Sequence, residues 1–589
     1  MTDARFALGI DLGTTNSALA SVPMDDKSTT PAPLAIAQTV APGETMAEPL
    51  LPSFLYMTAE AERAAGAFRL PWCESVEQVV GTYARKQGAA TPGRLVSSAK
   101  SWLSYCGIDR RSDVLPWEAP EGVPKISPLE ASARYLAHLK AAWDASHPDT
   151  PLSNQDVVLT VPASFDAVAR DLTVEAASKV GLRDNLCLLE EPQAALYAWL
   201  ADKGDSWRDD LAVGDTILVC DIGGGTTDFS LISVQEEDGV LQLARVAVGD
   251  HILLGGDNMD LALAYGVSAK LEQKGKRLDD WQMRGLVHGC RAAKESLLAE
   301  DSQDSYPLAI ASRGSRLLGG TIRTELTRAE LEATLLEGFF PHVAADARPQ
   351  VPRRMGLTTL GLPYASDAGV TRHLAAFLAR AQSAAGMTYP TAILFNGGVT
   401  RSPVIRSRIL SVLEAWAQTA GTAGPRVLEG GDPDLAVSRG AAFYAQARQQ
   451  GGLRIKGGTA RSYYIGVERN QMAVPGIPPK LDALCIAPFG MEEGTEVHLT
   501  DAFGLYVGEP VSFRFFGTSE RQDDPVGAVV DPAALTEVAP IETTLDGDEG
   551  SVVHVRLHAR VSEVGTLELS AVDVDSERRW KLSFDVRME

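Results

Sequence analysis

The chain contains 589 residues, of which 54 are Lys or Arg and 77 are Asp or Glu, so its formal net charge at pH 7 is −23. This length is enough for about three or four domains, and so acidic a surface repels nucleic-acid phosphates and anionic lipid, which excludes both as non-specific partners. Hydrophobic residues make up 45% of the sequence and charged residues 22%, which excludes a disordered or fibrous protein.

The N-terminus and the cysteines predict a cytoplasmic protein. Residues 1–6 have no basic start followed by an apolar core, and no stretch approaches the roughly 18 uninterrupted apolar residues of a transmembrane helix. We therefore expect neither export nor a membrane span. The six cysteines are far apart without CxxC spacing, and we expect reduced, mostly buried thiols. They are Cys73, Cys106, Cys187, Cys220, Cys290 and Cys485.

The first predicted elements belong to an internal repeat. Residues 8–22 are LGIDLGTTNSALASV and residues 219–234 are VCDIGGGTTDFSLISV. In each copy an apolar strand ends in Asp, a turn of Gly and Thr follows, and a second apolar stretch returns, which is typical of a β-hairpin with a polar tip. Two such hairpins predict a duplicated α/β domain.

Strands and helices alternate after each hairpin. Residues 157–161 predict a buried strand, and the apolar spacing from Asp166 to Val180 predicts a helix. After the second hairpin, residues 393–395 predict a strand, and Ser402 with Pro403 mark the start of a further helix.

The composition changes near residue 451. Residues 451–458 (GGLRIKGG) are bracketed by glycine pairs and predict a linker, either a plain flexible tether or a strand that docks on the preceding domain through Leu453 and Ile455. Beyond it, apolar and polar residues alternate over 553–561 and 580–586, as in antiparallel sheets. We predict a two-lobed domain at 1–450 with lobes at about 1–205 and 206–450, a linker at 451–460 and a β domain at 461–589.

An Asp at a strand end beside a Gly/Thr turn suits phosphate and magnesium. Glycines let the backbone approach a phosphate, turn amides and hydroxyls donate hydrogen bonds to it, and a carboxylate holds hydrated Mg²⁺. One such turn is weak evidence, because most are ordinary hairpins. Two copies favour facing turns that clamp the β- and γ-phosphates of a nucleotide.

With these turns the chain resembles the seventy-kilodalton heat-shock chaperones, the DnaK-like family, whose nucleotide domain has the actin and sugar-kinase fold. Further segments resemble that family in the same order along the chain. They are LTVPASF (159–165) with Arg170, EEPQAA (190–195), NGGVTRSP (396–403) and DPDLAV (432–437). The resemblance implies an α/β fold in which an actin-like, duplicated two-lobe ATPase domain precedes an antiparallel β-sandwich.

The resemblance also implies roles for individual residues. Asp11, Glu191, Asp221 and Asp228 would hold Mg²⁺, largely through water, and together with Thr226 would organise the attacking water. The cofactors would be ATP or ADP with Mg²⁺. The residues expected to hold the nucleotide are Gly13, Thr14, Thr15, Asn16, Gly223, Gly224, Gly225, Thr226, Thr227, Gly256, Lys294, Gly397, Gly398, Arg401 and Asp434.

The chain departs from the family pattern at charged positions. A gapless alignment of residues 80–87 places Arg85 where the family has a catalytic lysine, so we expect Arg85 to be the catalytic cation. We also expect slow hydrolysis, because a planar guanidinium does not replace a compact ammonium. Lys86 or Lys100 is the competing assignment. Arg291 replaces a family Glu and Glu295 a family Arg, and we expect weaker adenine-nucleotide binding.

The C-terminal part resembles the end of the family's peptide-binding β-sandwich. We expect this chain to lack the long helical lid that the family has. The predicted function is an ATP-dependent chaperone that captures extended apolar polypeptides or one specific client while hydrolysing ATP slowly. A J-domain co-chaperone and a nucleotide exchange factor are the further partners that the resemblance implies. Two alternatives remain: a nucleotide-gated scaffold with little hydrolysis, and a small-molecule kinase of the same fold.

Overall fold

A computed structural model describes the protein from residue 4 to residue 582, apart from short internal segments. These are 27–28, 64–65, 75, 118, 183–185, 238–239, 300–302, 312–320, 351–360, 386–388, 451–454, 457–458, 460, 470–471, 473–478, 492–494, 519–520, 522, 549, 562–566 and 577. Leu453 of the predicted linker and residues 583–586 of the last predicted strand therefore lie outside the described residues.

The first part of the chain forms a lobe of short strands and five helices among the described residues. The strands are β1 (Phe6–Leu12), β2 (Asn16–Pro23), β3 (Ala32–Pro33), β4 (Ile36–Ala41), β5 (Glu44–Glu48), β6 (Leu51–Pro52), β7 (Leu55–Met57), β8 (Gln78–Val80), β9 (Leu95–Val96), β10 (Asp156–Val161) and β11 (Leu186–Glu190). The helices are α1 (Thr82–Ala90), α2 (Ala99–Ser104), α3 (Pro128–Ser146), α4 (Ala167–Lys179) and α5 (Glu191–Lys203).

The second part contains the repeated hairpin and longer helices. Its strands are β12 (Thr216–Ile222), β13 (Thr227–Glu237), β14 (Val240–Val248), β15 (Ser305–Ile310), β16 (Ile322–Thr327), β17 (Ala392–Asn396), β18 (Arg426–Val427) and β19 (Ile455–Lys456). Its helices are α6 (Trp207–Asp210), α7 (Gly256–Gln273), α8 (Asp280–Leu297), α9 (Arg328–Glu332), α10 (Val370–Ala385), α11 (Pro403–Thr419) and α12 (Ala436–Gln450).

The two central sheets share one topology. In the first, β1 pairs antiparallel with β2 and parallel with β10, and β11 adds in parallel to β10. In the second, β12 pairs antiparallel with β13 and parallel with β17, and β18 adds in parallel to β17. The predicted duplication is confirmed.

The individual predictions between the hairpins also agree with the structure. β10 and β17 contain the predicted strands, and both are buried. Helix α4 lies within the predicted stretch, and the Asp166 carboxylate caps it by accepting a hydrogen bond from the Ala169 amide at 2.7 Å. Helix α11 begins at Pro403, and Ser402 Oγ accepts from the Ile405 amide at 3.4 Å.

Helices α5 and α12 pack together between the two sheets. Buried residues of both helices share one core cluster with Ala7 and Val158 of the first sheet and Val219 of the second. The contact requires glycine: a Cβ on Gly440 of α12 would lie 1.7 Å from the Ala194 carbonyl oxygen of α5, and one on Gly9 of β1 would lie 2.1 Å from the Ser438 carbonyl oxygen. Although α12 follows the second sheet in the chain, it therefore packs directly on β1.

The described C-terminal residues form the predicted β-sandwich. Its strands are β20 (Ser462–Glu468), β21 (Leu481–Ala487), β22 (Glu496–Val507), β23 (Pro510–Thr518), β24 (Val529–Val530), β25 (Thr536–Thr544), β26 (Ser551–Val561), β27 (Leu567–Asp573) and β28 (Arg579–Lys581). One sheet has the order β24-β21-β20-β23-β25 and the other β22-β26-β27-β28, and the pairs are antiparallel. Ile465 and Phe515 of the first sheet share a buried cluster with Leu557 of the second.

The described part of the linker adds a strand to the second central sheet. β19 pairs in parallel with β14, with Ile455 opposite Leu243 and Lys456 opposite Ala244. The sandwich that follows is in contact with the first lobe, because its buried residues belong to the same hydrophobic cluster as those of β1, β10 and α4. The structure thus shows a docked linker.

Among the helices that the structure describes, none combines the length and apolarity needed to cross a bilayer.

Gly440→Ala should destabilise the protein. The added methyl group would overlap α5, and overpacking of this kind costs about 1–3 kcal/mol. Gly285→Ala in α8 is the matched control, because no atom lies within 4 Å of its added Cβ and alanine favours helix by about 1 kcal/mol. Urea denaturation measures both; equal free energies of unfolding for Gly440→Ala and wild type would contradict the packing argument.

Candidate functional site

A cavity of about 700 Å³ lies between the turns of the two repeated hairpins. Most of the residues predicted to bind nucleotide or metal line it. They are Asp11, Gly13, Thr14, Thr15, Asn16, Glu191, Asp221, Gly223, Gly224, Thr226, Gly256, Lys294, Gly397, Gly398, Arg401 and Asp434. The sequence repeat therefore corresponds to two walls of one cavity.

The two glycine turns face each other at close range. A Cβ on Gly224 would lie 2.3 Å from Thr15 Oγ1, and one on Gly225 would lie 2.9 Å from Thr14 Cγ2. Side chains at these glycines would fill the space between the turns. The turns present backbone amides and Thr hydroxyls to that space, which suits phosphate oxygens.

Three carboxylates meet at the floor of the cavity. Asp11 is near the end of β1, Asp221 is near the end of β12, and Glu191 begins α5. Burial, against the opposing charge of Lys100, raises the pKa of Asp11 to about 7, and burial together with the charge of Glu191 raises the pKa of Asp221 to about 8. Such a cluster of oxygen donors fits a hard divalent cation such as Mg²⁺, which would favour the ionised forms.

Asn396 holds one of these carboxylates. Its Nδ2 donates to Asp221 Oδ2 at 2.6 Å, and its own Oδ1 is buried and has no hydrogen-bond partner among the described residues. An orphaned oxygen beside an Mg²⁺-type donor set is a further acceptor for a hydrated ion.

The cation at the carboxylates is Lys100, whereas the sequence predicted Arg85. Lys100 Nζ forms an ion pair with Glu191, and both side chains are nearly buried. Burial disfavours its charge, but Glu191 and Asp11 outweigh that effect and raise the pKa of Lys100. The gapless alignment missed Lys100, because it covered only residues 80–87 and Lys100 lies beyond them, on α2.

Arg85 lies on the opposite side of the cavity. It projects from α1 next to α8, where its nearest charged neighbours include Arg291 and Glu295. Lys86, the other competing residue, is exposed. Neither side chain is at the carboxylates, which corrects the prediction that Arg85 is the catalytic cation.

Asp228 lies behind the carboxylates, directly across the hairpin from Asp221. It accepts a hydrogen bond from Ser164 Oγ at 3.0 Å and pairs with His251 Nδ1 at 3.0 Å. Burial opposes protonation of His251, but the charge of Asp228 raises its pKa. His251 Nε2 is buried without a hydrogen-bond partner in the described structure. Sequence reasoning missed this histidine, because only the tertiary fold brings it to Asp228.

Thr227 does not line the cavity, contrary to prediction. Its side chain is fully buried, and its Oγ1 donates to the Leu254 carbonyl oxygen at 2.8 Å. In a strand that begins at Thr227, alternate side chains point to opposite faces. Thr226 is left in the cavity wall and Thr227 faces the protein interior.

The outer wall of the cavity is built from ion pairs. Lys294 donates to the Gly256 carbonyl oxygen at 2.8 Å and pairs with Asp260 at 2.7 Å, while Arg291 pairs with Asp260 at 2.7 Å and also with Asp257. Arg291 and Glu295, the two departures from the family pattern, both line the cavity.

The remaining wall carries Gly397, Gly398 and Arg401. Gly397 has φ +81°, and a Cβ there would lie 2.6 Å from Asp221 Oδ1. A Cβ on Gly398 would lie 2.9 Å from Asp434 Oδ1, and Arg401 pairs with Asp434 at 2.8 Å. The two glycines leave room beside an anchored guanidinium for a flat group.

Together, duplicated sheets and an acidic cleft between facing glycine turns define a two-lobed, actin-like nucleotide-binding fold. Residues 7–346 match the family model described as Hsp70 protein. The chain belongs to the Hsp70 family.

Curated relatives are similar over much of this chain. It is 30% identical over 462 residues to a chaperone protein HscA homolog of Bordetella petrii, covering 77% of this chain and 59% of that one. It is 31% identical over 461 residues to an HscA homolog of Pseudomonas aeruginosa, covering 76% and 58%. With chaperone protein HscA of Pectobacterium carotovorum it shares 32% identity over 320 residues. The chain thus spans less than two thirds of the length of the relatives it matches.

Lys100→Ala should slow single-turnover ATP hydrolysis by about 100-fold or more, because it removes the cation nearest the carboxylates from a reaction that depends on positioning and charge. Arg85→Lys and the exposed-site control Lys86→Ala should each change the rate by less than about 10-fold. Rapid-quench measurements with saturating Mg²⁺-ATP, on variants whose circular dichroism matches wild type, test this. A collapse in Lys86→Ala with normal hydrolysis in Lys100→Ala would reverse the assignment.

Without Mg²⁺ and nucleotide, the stability of the protein should fall as the pH rises. Asp11 and Asp221 bind protons more tightly in the folded state, because burial raises their pKa values to about 7 and about 8 from an ordinary value of 3.8. Their contribution is complete below that unfolded value and is lost as the pH rises through about 7 and about 8. In EDTA, Asp221→Asn should flatten the decline by roughly 1 kcal/mol per pH unit between about pH 5 and pH 7.

The exposed Asp209→Asn is the control for this measurement, and its unfolding free energy should follow the wild-type pH profile. Parallel profiles for wild type and Asp221→Asn would contradict the assignment of raised pKa values to this cluster.

Proposed function

We propose that the protein is an ATP-dependent chaperone in which hydrolysis of ATP in the cavity controls the β-sandwich. The observation that carries this proposal is the buried set of Asp11, Glu191 and Asp221 with Lys100 between two facing glycine turns. The family to which the chain belongs and the chaperones it resembles support it.

Each wall of the cavity has its own task in this proposal. Asp11, Glu191 and Asp221, with Asp228 behind them, would hold hydrated Mg²⁺ largely through water, and the ion would supply positive charge to the phosphates. The backbone amides of both turns, with Thr14, Thr15 and Thr226, bind phosphate oxygens. Lys294, Gly397, Gly398 and Arg401 form the adenosine side.

Lys100 orients the water that attacks the γ-phosphate. Its ammonium is fixed by Glu191 and remains charged despite burial, so it can hold a water molecule in line without a proton transfer of its own. His251 and Ser164 keep Asp228 in place beside it. Slow hydrolysis was expected because Arg85 stood in the place of a catalytic lysine. Since Lys100 lies at the carboxylates, that argument no longer favours a scaffold that binds ATP with little turnover.

Glu190 connects the cavity to the linker. It precedes Glu191, is buried, and forms ion pairs with Arg170 of α4 and Arg245 of β14. Arg245 follows directly after Leu243 and Ala244, which pair with the linker strand β19. A shift of Glu191 toward bound Mg²⁺-ATP would therefore be transmitted through the preceding residue, Glu190, to both arginines.

The same arginines lie close to the sandwich. Tyr463 at the start of β20 is buried, and its electrostatic environment includes Arg170, Asp166 and Arg245. We infer that release of the Glu190 ion pairs loosens β19 and Tyr463 together, which would change the exposure of the sandwich.

The clients and partners are part of the proposal. The sandwich would bind extended apolar polypeptide, and a J-domain co-chaperone and a nucleotide exchange factor would act on the nucleotide domain. A cytoplasmic location accords with reduced thiols, and all six cysteines are free.

Glu190→Gln should uncouple the nucleotide from the client. Stopped-flow release of a labelled apolar peptide should be accelerated about tenfold by ATP over ADP in wild type, a change of about 1.4 kcal/mol, and should be insensitive to nucleotide in the variant. ATP binding should persist, because Glu190 does not line the cavity. The control is Glu175→Gln. Glu175 lies on the same helix as Arg170, and its replacement breaks only a peripheral ion pair with Arg111.

Because removing one partner of a buried ion pair costs about 3–5 kcal/mol, the folded fraction of Glu190→Gln is first checked by thermal unfolding. Arg245→Gln then provides a second test of the same link. Peptide release in wild type that ignores nucleotide would contradict the chaperone proposal, and ATP turnover that requires an added small-molecule acceptor would favour the kinase.

A further inference from the structure

Two histidines and a glutamate lie together on the outer face of the β-sandwich. His498 of β22 is directly opposite His558 of β26 in the antiparallel pair. Glu496 precedes His498 by two residues, so both project from the same face of the strand. Of the nine histidines in the chain, these two are cross-strand partners.

The potential ligand atoms are close to one another. His498 Nδ1 and His558 Nδ1 are 2.9 Å apart, and Glu496 Oε1 is 3.7 Å from His558 Nδ1 and 3.9 Å from His498 Nε2. One ligand atom from each of the three residues falls within 4.8 Å of the others. The imidazole rings meet edge to face at 87°.

We infer that Glu496, His498 and His558 form a binding site for a divalent transition metal of the Zn²⁺ type. A tetrahedral zinc with bonds of about 2.0–2.1 Å holds neighbouring ligand atoms about 3.3 Å apart, so the observed spacings require side-chain movements of less than about 1 Å. Imidazole nitrogens favour Zn²⁺, Cu²⁺ or Ni²⁺ over Mg²⁺ and Ca²⁺. Three protein ligands leave a fourth position for water.

The strand pair presets this arrangement. Cross-strand register fixes the two histidines relative to each other, and the register shifts between His498 and Ala502, which is a β-bulge directly beside the first histidine. Bulges bend a strand and redirect side chains. Because the backbone already places the ligands, binding of the ion requires only the side chains to rearrange.

The close contact between the imidazole rings of His498 and His558 also favours a bound metal ion. Two Nδ1 atoms in contact need one donor and one acceptor, so the rings cannot both be protonated in this geometry. Arg556 and Arg579 lie near His558. A neutral imidazole is the form that coordinates metal. The nearby arginines weaken the site for a dication, and the Glu496 carboxylate offsets part of that effect.

The bound ion would cross-link β22 and β26 beside the bulge. It would thereby stabilise the folded sandwich in proportion to the occupancy of the site. The site shares no residue with the nucleotide cavity, so the inference is independent of the proposed function.

Equilibrium titration of the full chain with ZnCl₂ tests the site, with a chromophoric indicator and excess Mg²⁺ present to occupy the carboxylates of the cavity. Wild type should bind one Zn²⁺ more than the double variant His498→Ala/His558→Ala. Glu496→Gln should retain that ion with about tenfold weaker affinity, since it keeps both imidazoles. His554→Ala is the matched control, because His554 lies on the same strand, β26, opposite Gly504 and four residues before His558.

Thermal unfolding gives a second readout. Zn²⁺ should raise the unfolding temperature of wild type and of His554→Ala and leave that of the double variant unchanged. The cysteines are present in every variant, so their zinc binding cancels in the comparison. Equal Zn²⁺ stoichiometry and affinity in wild type and the double variant, or an equal loss in His554→Ala, would overturn the inference.

Discussion

The gathering of carboxylates in a buried floor is the constraint around which the nucleotide domain is organised. Asp11, Asp221 and Glu191 come from three different elements and repel one another in a region with little solvent, as the raised pKa values of both aspartates show. Charges of one sign are tolerated there only if a cation accompanies them. Lys100 provides one such charge, and a divalent ion between the carboxylates would provide the rest.

The carboxylates at the floor of the cavity are also connected to distant parts of the chain through the start of α5. Glu191 faces the cavity, whereas Glu190 binds two arginines, one on α4 and one on β14. Adjacent residues at the start of α5 thus face the ligand and the linker strand. Because both arginines are buried, any movement of Glu190 would require their contacts to rearrange.

The sequence was sufficient for the duplicated sheets, the hairpin turns and the sandwich, since these follow from local patterns of apolar residues and glycines. Asp11 and Asp221 could be placed for the same reason, because each ends a strand of the repeat. Arg85 was misplaced because charge type and a short gapless match do not show which cation the fold brings to the carboxylates. Thr227 and His251 depend on which face of a strand is buried and on a contact between separate segments, and neither is visible in a single sequence.

Helix α12 has a consequence for how the chain acquires its structure during synthesis. It covers β1 and α5, yet it is made about 250 residues after α5, a delay of roughly ten to fifty seconds on a ribosome. During that time Gly9 and the small residues of α5 lack the surface against which they are shaped. The first lobe therefore cannot complete its core until α12 has been synthesised. Until α12 is made, the apolar surface that it covers on β1 and α5 is exposed in the nascent chain.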